Sequence, residues 1–255
     1  MELTLVTYNI HSGIGGDGRF DLDRVVEVIE EARPDLVALQ EVGDSRGVTP
    51  REDHPEYLAQ RLGLQMAFGP NVVRGGRRYG NAVLSRMPIL ASHNYDLSVR
   101  GREARGALRC DIDLGTRKPL HLFCVHLGLS GSERRAQESL LLSADILQDS
   151  ARAHPVVVCG DFNYWRDGPV PALVRSAIHD AQTLLRSGSG RTYPARFPLF
   201  RLDRVFVDEG VRPISLKAHR SPLARRASDH LPLVMRFEAP VEVNRPAAGT
   251  VQMLG

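Results

Sequence analysis

The run Leu3-Thr-Leu-Val-Thr-Tyr-Asn9, followed by Asp21-Leu-Asp-Arg-Val-Val-Glu-Val-Ile29 and then by Leu36-Val-Ala-Leu-Gln-Glu41, decides the fold. Leu3 to Tyr8 reads as a strand that ends at Asn9. Asp21 suits the N-cap of a helix, and Leu22, Val25, Val26 and Ile29 recur at helical spacing until Pro34 stops it. Leu36-Val-Ala-Leu39 is a second short apolar strand, which delivers Gln40 and Glu41 at its end. Strand, helix and strand in this order predict parallel neighbours joined by a right-handed crossover.

Working outward, Asn81-Ala-Val-Leu-Ser85, Ala107 to Ile112 and Leu120 to Val125 read as strands with short polar connections, so some antiparallel pairing is expected. Ser130-Gly-Ser-Glu133 is a capping box that opens a helix with Ala136, Leu140, Ala144 and Leu147 on one face. Val156-Val-Val158 reads as a buried strand, and Leu202 to Val207, Ile214 to Ala218 and Leu233 to Phe237 follow. There is no linker, repeat or low-complexity block. The pattern predicts one α/β domain over residues 1–237, with two packed sheets covered by helices. The Pro-, Gly- and Ala-rich stretch 238–255 reads as a poorly ordered tail.

Composition narrows the class. The chain has 255 residues, 42% hydrophobic and 25% charged. Those proportions exclude disorder throughout, collagen-like repeats and coiled coils. No apolar run is long enough to span a bilayer, and the N-terminus has no secretory pattern. Cys110, Cys124 and Cys159 are widely spaced among apolar neighbours, which predicts buried free thiols in a reducing, cytoplasmic setting. The net charge of +3 is compatible with an anionic substrate. All but Lys118 and Lys217 of the 33 basic residues are arginine. Arginine suits bidentate phosphate contacts, and the codon bias of a GC-rich genome would produce the same excess.

Polar groups stand where apolar strands stop: Asn9, Glu41, His126, Asp161 with Asn163, Asp203, and Asp229 with His230. Active sites of α/β proteins collect at strand ends. Each residue alone would serve as well in a turn; it is the set of carboxylates, imidazoles and amides that points to chemistry. No serine or cysteine nucleophile motif accompanies it. Asp161 and Asn163 are two apart, so an extended loop would aim both at one pocket and turn Phe162 into the core. Gly13-Ile-Gly-Gly-Asp-Gly18 lacks the ending of a phosphate-binding P-loop and reads as a flexible rim loop, with His11 near the mouth of the site. Arg74, Arg77 and Arg78 form a basic loop that would either track an anionic backbone or serve solubility. Tyr164 and Trp165 would stack on a base, line a lipid-facing rim, or pack beside the site.

The ordered segments Thr7-Tyr-Asn-Ile-His11, Leu39-Gln-Glu41, Gly80-Asn-Ala-Val-Leu-Ser85, Cys124-Val-His126, Gly160-Asp-Phe-Asn163, Arg201-Leu-Asp-Arg-Val-Phe206 and Ser228-Asp-His230 resemble the endonuclease/exonuclease/phosphatase superfamily. Arg191-Thr-Tyr-Pro194 and Tyr164-Trp-Arg166 look most like its small bacterial members. The resemblance implies a DNase I-like four-layer sandwich, two mixed sheets face to face and flanked by helices. It implies a Mg²⁺-dependent hydrolase of phosphate esters, with Mn²⁺ as a substitute.

Under that resemblance Glu41 would bind the ion with Asn9 beside it, and Asp229 would complete the metal site or support a second ion. Asp161 would orient or deprotonate the attacking water, and Asn163 would hold that water or a phosphate oxygen. His230 would contact the phosphoryl group, oriented by Asp203. His126 would donate to a non-bridging oxygen or protonate the leaving group, and Ser228 would shape the turn before Asp229. Arg102, Arg105 and Arg166 would clamp phosphate or form surface ion pairs, for example with Glu103 or Asp167. A phosphodiesterase or nuclease is the leading expectation. A phosphatase, a phospholipid-headgroup phosphodiesterase and a non-catalytic phosphate-binding module are the alternatives.

Overall fold

A computed structural model describes residues 1–44, 47, 53–148, 155–165, 178–186 and 190–239. Two six-stranded mixed sheets form the body of the molecule. The first contains β1 (Glu2–Asn9), β2 (Leu36–Gly43), β3 (Gln65–Arg74), β4 (Arg77–Ser85), β11 (Arg212–Ala218) and β12 (Leu233–Glu238) in the order β11-β12-β1-β2-β4-β3. The second contains β5 (Ile89–Asp96), β6 (Gly106–Ile112), β7 (Leu120–His126), β8 (Val156–Asp161), β9 (His179–Asp180) and β10 (Asp203–Val207) in the order β5-β6-β7-β8-β10-β9. β1 and β2 are parallel, as the opening pattern predicts, and so are β7 and β8; the other pairings are antiparallel.

Helix α1 (Leu22–Glu31) makes the β1–β2 crossover, capped by the Asp21 side chain on the Arg24 N–H. It buries Val25, Val26 and Ile29, with α2 (His54–Leu62) beside it, against the outer face of the first sheet. The apolar residues divide into three clusters. One lies between the sheets, built from Leu3, Leu5, Leu36 and Val83 on one side and Leu108, Leu122, Val157 and Val205 on the other. The other two lie outside the sheets, and these three interfaces make the four-layer sandwich. Short helices α4 (Ala181–Leu185) and α5 (Ala224–Ala227) complete the described α-helices, with α3 (Gly131–Leu141) near the second sheet and a short 3-10 turn at His11–Gly13.

Three expectations change. Helix α3 stops at Leu141, and its Ala136, Leu140 and Ala144 side is exposed. It buries Glu133, Gln137 and Glu138 instead, because Gln137 Oε1 accepts the Gly128 N–H at 2.7 Å and Glu138 accepts the Tyr164 hydroxyl. The chain stays ordered through Glu238, which pairs with Glu2, and the Ala239 N–H donates to Met1; residues 240–255 of the expected tail lie outside the described residues. Strands β3 and β5 and helix α2 escaped the pattern reading. All three cysteines are free and buried. No described helix is long and apolar enough to cross a membrane.

Candidate active site

Strand parity brings the polar residues together. Leu3, Leu5, Thr7 and Asn9 share the inter-sheet face of β1; Leu122, Cys124 and His126 share that of β7; Val157, Cys159 and Asp161 share that of β8; Asp203, Val205 and Val207 share that of β10. Apolar residues fill this face along the strands, and polar ones take over where the strands end. β2 would turn Glu41 the other way. A register break between Leu39 and Val42 and a left-handed φ of +57° at Glu41 re-aim that carboxylate into the cleft. A non-glycine residue in that region is strained, and such strain gathers at functional sites.

The resulting cleft has a volume of about 470 Å³, and Glu41, His126, Asp161, Asn163, Asp229 and His230 all line it. Asp161 is its hub. Its Oδ1 accepts the Asn163 N–H at 2.9 Å, and its Oδ2 accepts Asn9 Nδ2 at 3.1 Å. That same oxygen lies 3.6 Å from His230 Nε2 and 3.7 Å from His126 Nε2. Asn9 Nδ2 also donates to Glu41 Oε1 at 3.0 Å, while its Oδ1 accepts the His11 N–H at 3.1 Å. In this orientation the Asn9 amide braces the two carboxylates. Ser228 Oγ donates to the Asn9 carbonyl at 2.8 Å and accepts the His230 N–H at 3.3 Å, so it shapes the turn as expected.

His230 Nδ1 donates to Asp203 Oδ2 at 2.8 Å, and both groups are buried. Burial works against a charged ring, but the Asp203 and Asp161 carboxylates outweigh it and push His230 up to about 10. Burial raises Asp161 to about 6; the His230 charge opposes that rise and Asp203 reinforces it. His126 sits well below the ordinary histidine value because it is buried, with Arg105 and His230 adding to the effect. The two imidazoles are therefore opposites at neutral pH, His230 charged and His126 neutral.

Asn163 reaches the cleft by a different route from the extended loop expected of it. Its backbone is left-handed at φ +53°, closing a turn on Asp161, and its Nδ2 donates to the Leu127 carbonyl at 2.9 Å. Phe162 does turn into the core. Arg105 is buried, lines the cleft and pairs with Glu103 at 3.1 Å. Arg102 is exposed and does not line the cleft: Glu103 and Arg105, two apart, share the inward side. Arg166 lies outside the described residues.

The basic loop is a hairpin turn in which two of the three arginines are ion-paired, Arg77 with Asp44 and Arg78 with Asp53 and Glu56, while Arg74 is exposed. The glycine loop is tied down, with Ile14 bridged to Phe20 and the Gly16 N–H on the Arg226 carbonyl. His11 lines the cleft mouth, 3.9 Å from Asp229.

Three contributors escaped the sequence reading. Thr192 donates its hydroxyl to Asp203 Oδ2, the oxygen that holds His230. Tyr193 packs its ring 4.9 Å from His230 and lines the cleft. Tyr79 faces Glu41, and burial together with that charge holds its hydroxyl un-ionised. The segment Arg191-Thr-Tyr-Pro194 carried the signal for the first two, but only as a family marker.

Among the described residues no three His, Cys, Asp or Glu side chains cluster closely enough to hold a metal ion alone. Glu41 and Asp229 offer two hard oxygen donors. Their chemistry suits a hard divalent cation, which takes oxygen ligands from carboxylates, water and substrate phosphate.

A model of the Endonuclease/Exonuclease/phosphatase family matches residues 6–230. YbhP of Escherichia coli K12, an uncharacterized protein, is 37% identical over 243 residues, 90% of this chain and 93% of YbhP. An endonuclease/exonuclease/phosphatase from Beutenbergia cavernae superposes with a TM-score of 0.73 at 24% identity, over 93% of this chain and 72% of that one. The mannosyl-6-phosphatase Bt3783 of Bacteroides thetaiotaomicron gives 0.73 at 16% identity, over 92% and 99%. By the extent of the model match and the identity with YbhP, the chain belongs to the endonuclease/exonuclease/phosphatase family.

Proposed function

We propose that this protein is a divalent-metal-dependent hydrolase of phosphate esters, acting as a phosphodiesterase by attack of water on phosphorus. The supporting observation is the convergence of Glu41, Asp229, Asp161 and the Asp203-held His230 on one cleft. Glu41 and Asp229 would hold Mg²⁺ or Mn²⁺, with Asn9 fixing Glu41. When bound, the ion polarises the phosphoryl oxygen and stabilises the leaving oxygen.

The chain's own groups do the rest. Asp161 is ionised at neutral pH yet basic enough to take a proton from water, and two donors fix its oxygens. The Asn163 amide nitrogen is committed to Leu127, so its oxygen is the end that receives the attacking water. Charged His230 donates from Nε2 to a non-bridging phosphoryl oxygen and opposes the charge that builds there. Neutral His126 donates a hydrogen bond to phosphate and is too weakly basic to act as the acid for the leaving group. Arg105 balances phosphate charge at the cleft wall.

The test is hydrolysis of bis(p-nitrophenyl) phosphate and of a panel of DNA, RNA, abasic DNA, inositol phosphates and phospholipids, in Mg²⁺ and in Mn²⁺. Activity should vanish on chelation and in Glu41→Ala. Turnover that survives either treatment overturns the proposal. A silent panel together with absent metal binding in calorimetry would favour a non-catalytic phosphate-binding module.

A further inference from the structure

The mouth of the cleft is apolar on the side formed by residues 191–200. Nine large hydrophobic side chains among the described residues are exposed, and four of them border the cleft: Leu129 at 64% and Trp165 at 42% line it, and Phe197 at 68% and Leu199 at 59% stand on the hairpin against which Trp165 packs. Single exposed apolar residues are ordinary, whereas a cluster beside a site asks for an occupant. Tyr193 bridges to Phe200 and makes the base of a hairpin, and the Leu199 N–H closes it on the Tyr193 carbonyl at 2.8 Å. Trp165 packs edge-on against both rings, 5.5 Å from Tyr193 and 5.2 Å from Phe200. The hairpin also hangs on the site, through the Ala195 N–H on the Asp229 carbonyl at 2.7 Å. Phe197 and Leu199 therefore project from a scaffold whose inner wall is catalytic cleft.

Cations border this rim. Arg196 is exposed next to Phe197, Arg225 donates to the Arg196 carbonyl at 2.8 Å, and Arg134 donates to the Leu129 carbonyl at 2.6 Å. None of the three has an ion-pair partner among the contacts of the described residues. Projecting Phe, Leu and Trp side chains with adjoining arginines suit an anionic lipid surface: the apolar groups enter the acyl boundary and the guanidinium groups stay at headgroup level. A nucleic-acid strand fits less well. Leu129 and Leu199 offer no face on which a base could stack.

We infer that the 191–200 hairpin with Leu129 and Trp165 is a membrane-docking rim, and that the cleft takes the headgroup phosphodiester of a phospholipid whose acyl chains stay in the bilayer. This rests on the phosphodiesterase reading. In the reaction, water forms the new O–P bond, the P–O bond to the leaving alcohol breaks, and the water proton ends on that alcohol.

Docking is tested without catalysis, by sedimenting the full chain with vesicles of equimolar phosphatidylcholine and phosphatidylglycerol, and with phosphatidylcholine alone. The protein should pellet with the anionic vesicles. Phe197→Ser/Leu199→Ser should lower its partition coefficient roughly tenfold or more, and Arg196→Gln by a few-fold. Unaltered thermal melts confirm that both variants fold. A protein that stays in the supernatant, or a double variant that pellets like the parent, overturns the inference. So does binding of a single-stranded DNA oligonucleotide that the double variant abolishes while vesicle binding persists. Loss of bis(p-nitrophenyl) phosphate hydrolysis in the parent protein would instead count against the phosphodiesterase reading, because sedimentation needs no turnover.

Discussion

Replacing Asp203 with Asn tests how the site holds its cation. The carboxylate is fully buried and receives both His230 Nδ1 and the Thr192 hydroxyl. His230 stands at about 10 against an ordinary 6.5. At roughly 1.4 kcal/mol per unit, that is about 5 kcal/mol in favour of the charged ring, supplied mainly by Asp203 and Asp161. An amide removes the larger contribution and leaves burial, which opposes charge, facing Asp161 alone. The histidine should then titrate roughly two units lower or more, and kcat/KM for bis(p-nitrophenyl) phosphate should fall by roughly 10²- to 10³-fold. The basic limb of the pH–rate profile should move down with it.

Stability supplies a second readout. The folded value lies above the unfolded one, so this pair stabilises the fold fully below about pH 6.5, and the contribution is lost as pH rises through about 10. The Tm gap between parent and variant should be widest near the lower value and close toward the upper. An unmoved basic limb with a rate within about threefold of the parent, or a Tm gap independent of pH, would show that Asp203 does not hold the charge on His230.

Other outcomes follow from the same geometry. The parent pH–rate profile should rise as Asp161 ionises near pH 6 and fall as His230 loses its proton near pH 10, measured under saturating metal. Gly160 sits at φ +140° with the Val125 carbonyl oxygen 1.9 Å from where a Cβ would be, so Gly160→Ala should lower Tm sharply or prevent folding, read by circular dichroism. Phe162→Ala opens a hole behind Asp161, where the ring packs 5.0 Å from Phe206, and should cost about 3–5 kcal/mol in urea denaturation. Arg105→Gln should raise KM for anionic esters more than it lowers kcat, in steady-state kinetics.

Much of the architecture is written in local pattern. Leu3 to Asn9 and Leu36 to Glu41 declare two parallel strands because their apolar side chains fill both faces, and each ends on the polar residue it delivers. β3 and β5 stayed hidden for the opposite reason. They are edge strands whose side chains are largely solvent-facing, so no alternation marks them. The α3 helix misled because its buried face is polar: Glu133 and Gln137 pack on Gly128, contacts that no hydrophobic period reveals. At the site, strand ends were legible, but the bulge that turns Glu41 inward and the left-handed turn that aims Asn163 are backbone events. Thr192 and Tyr193 lie in a connection between elements, where only tertiary contact assigns them to Asp203 and His230.

On the proposed reading, Glu41 and Asp229 share one cation-binding cleft with Asp161 and His230. A crystal soaked in Mn²⁺ and phosphate, with anomalous diffraction recorded at the manganese edge, tests it most directly. An anomalous peak is expected roughly 2.0–2.4 Å from a carboxylate oxygen of Glu41, with phosphate between the ion and His230 Nε2. A manganese ion seated elsewhere, with Glu41 still holding Asn9 and the phosphate away from His230, would overturn that assignment.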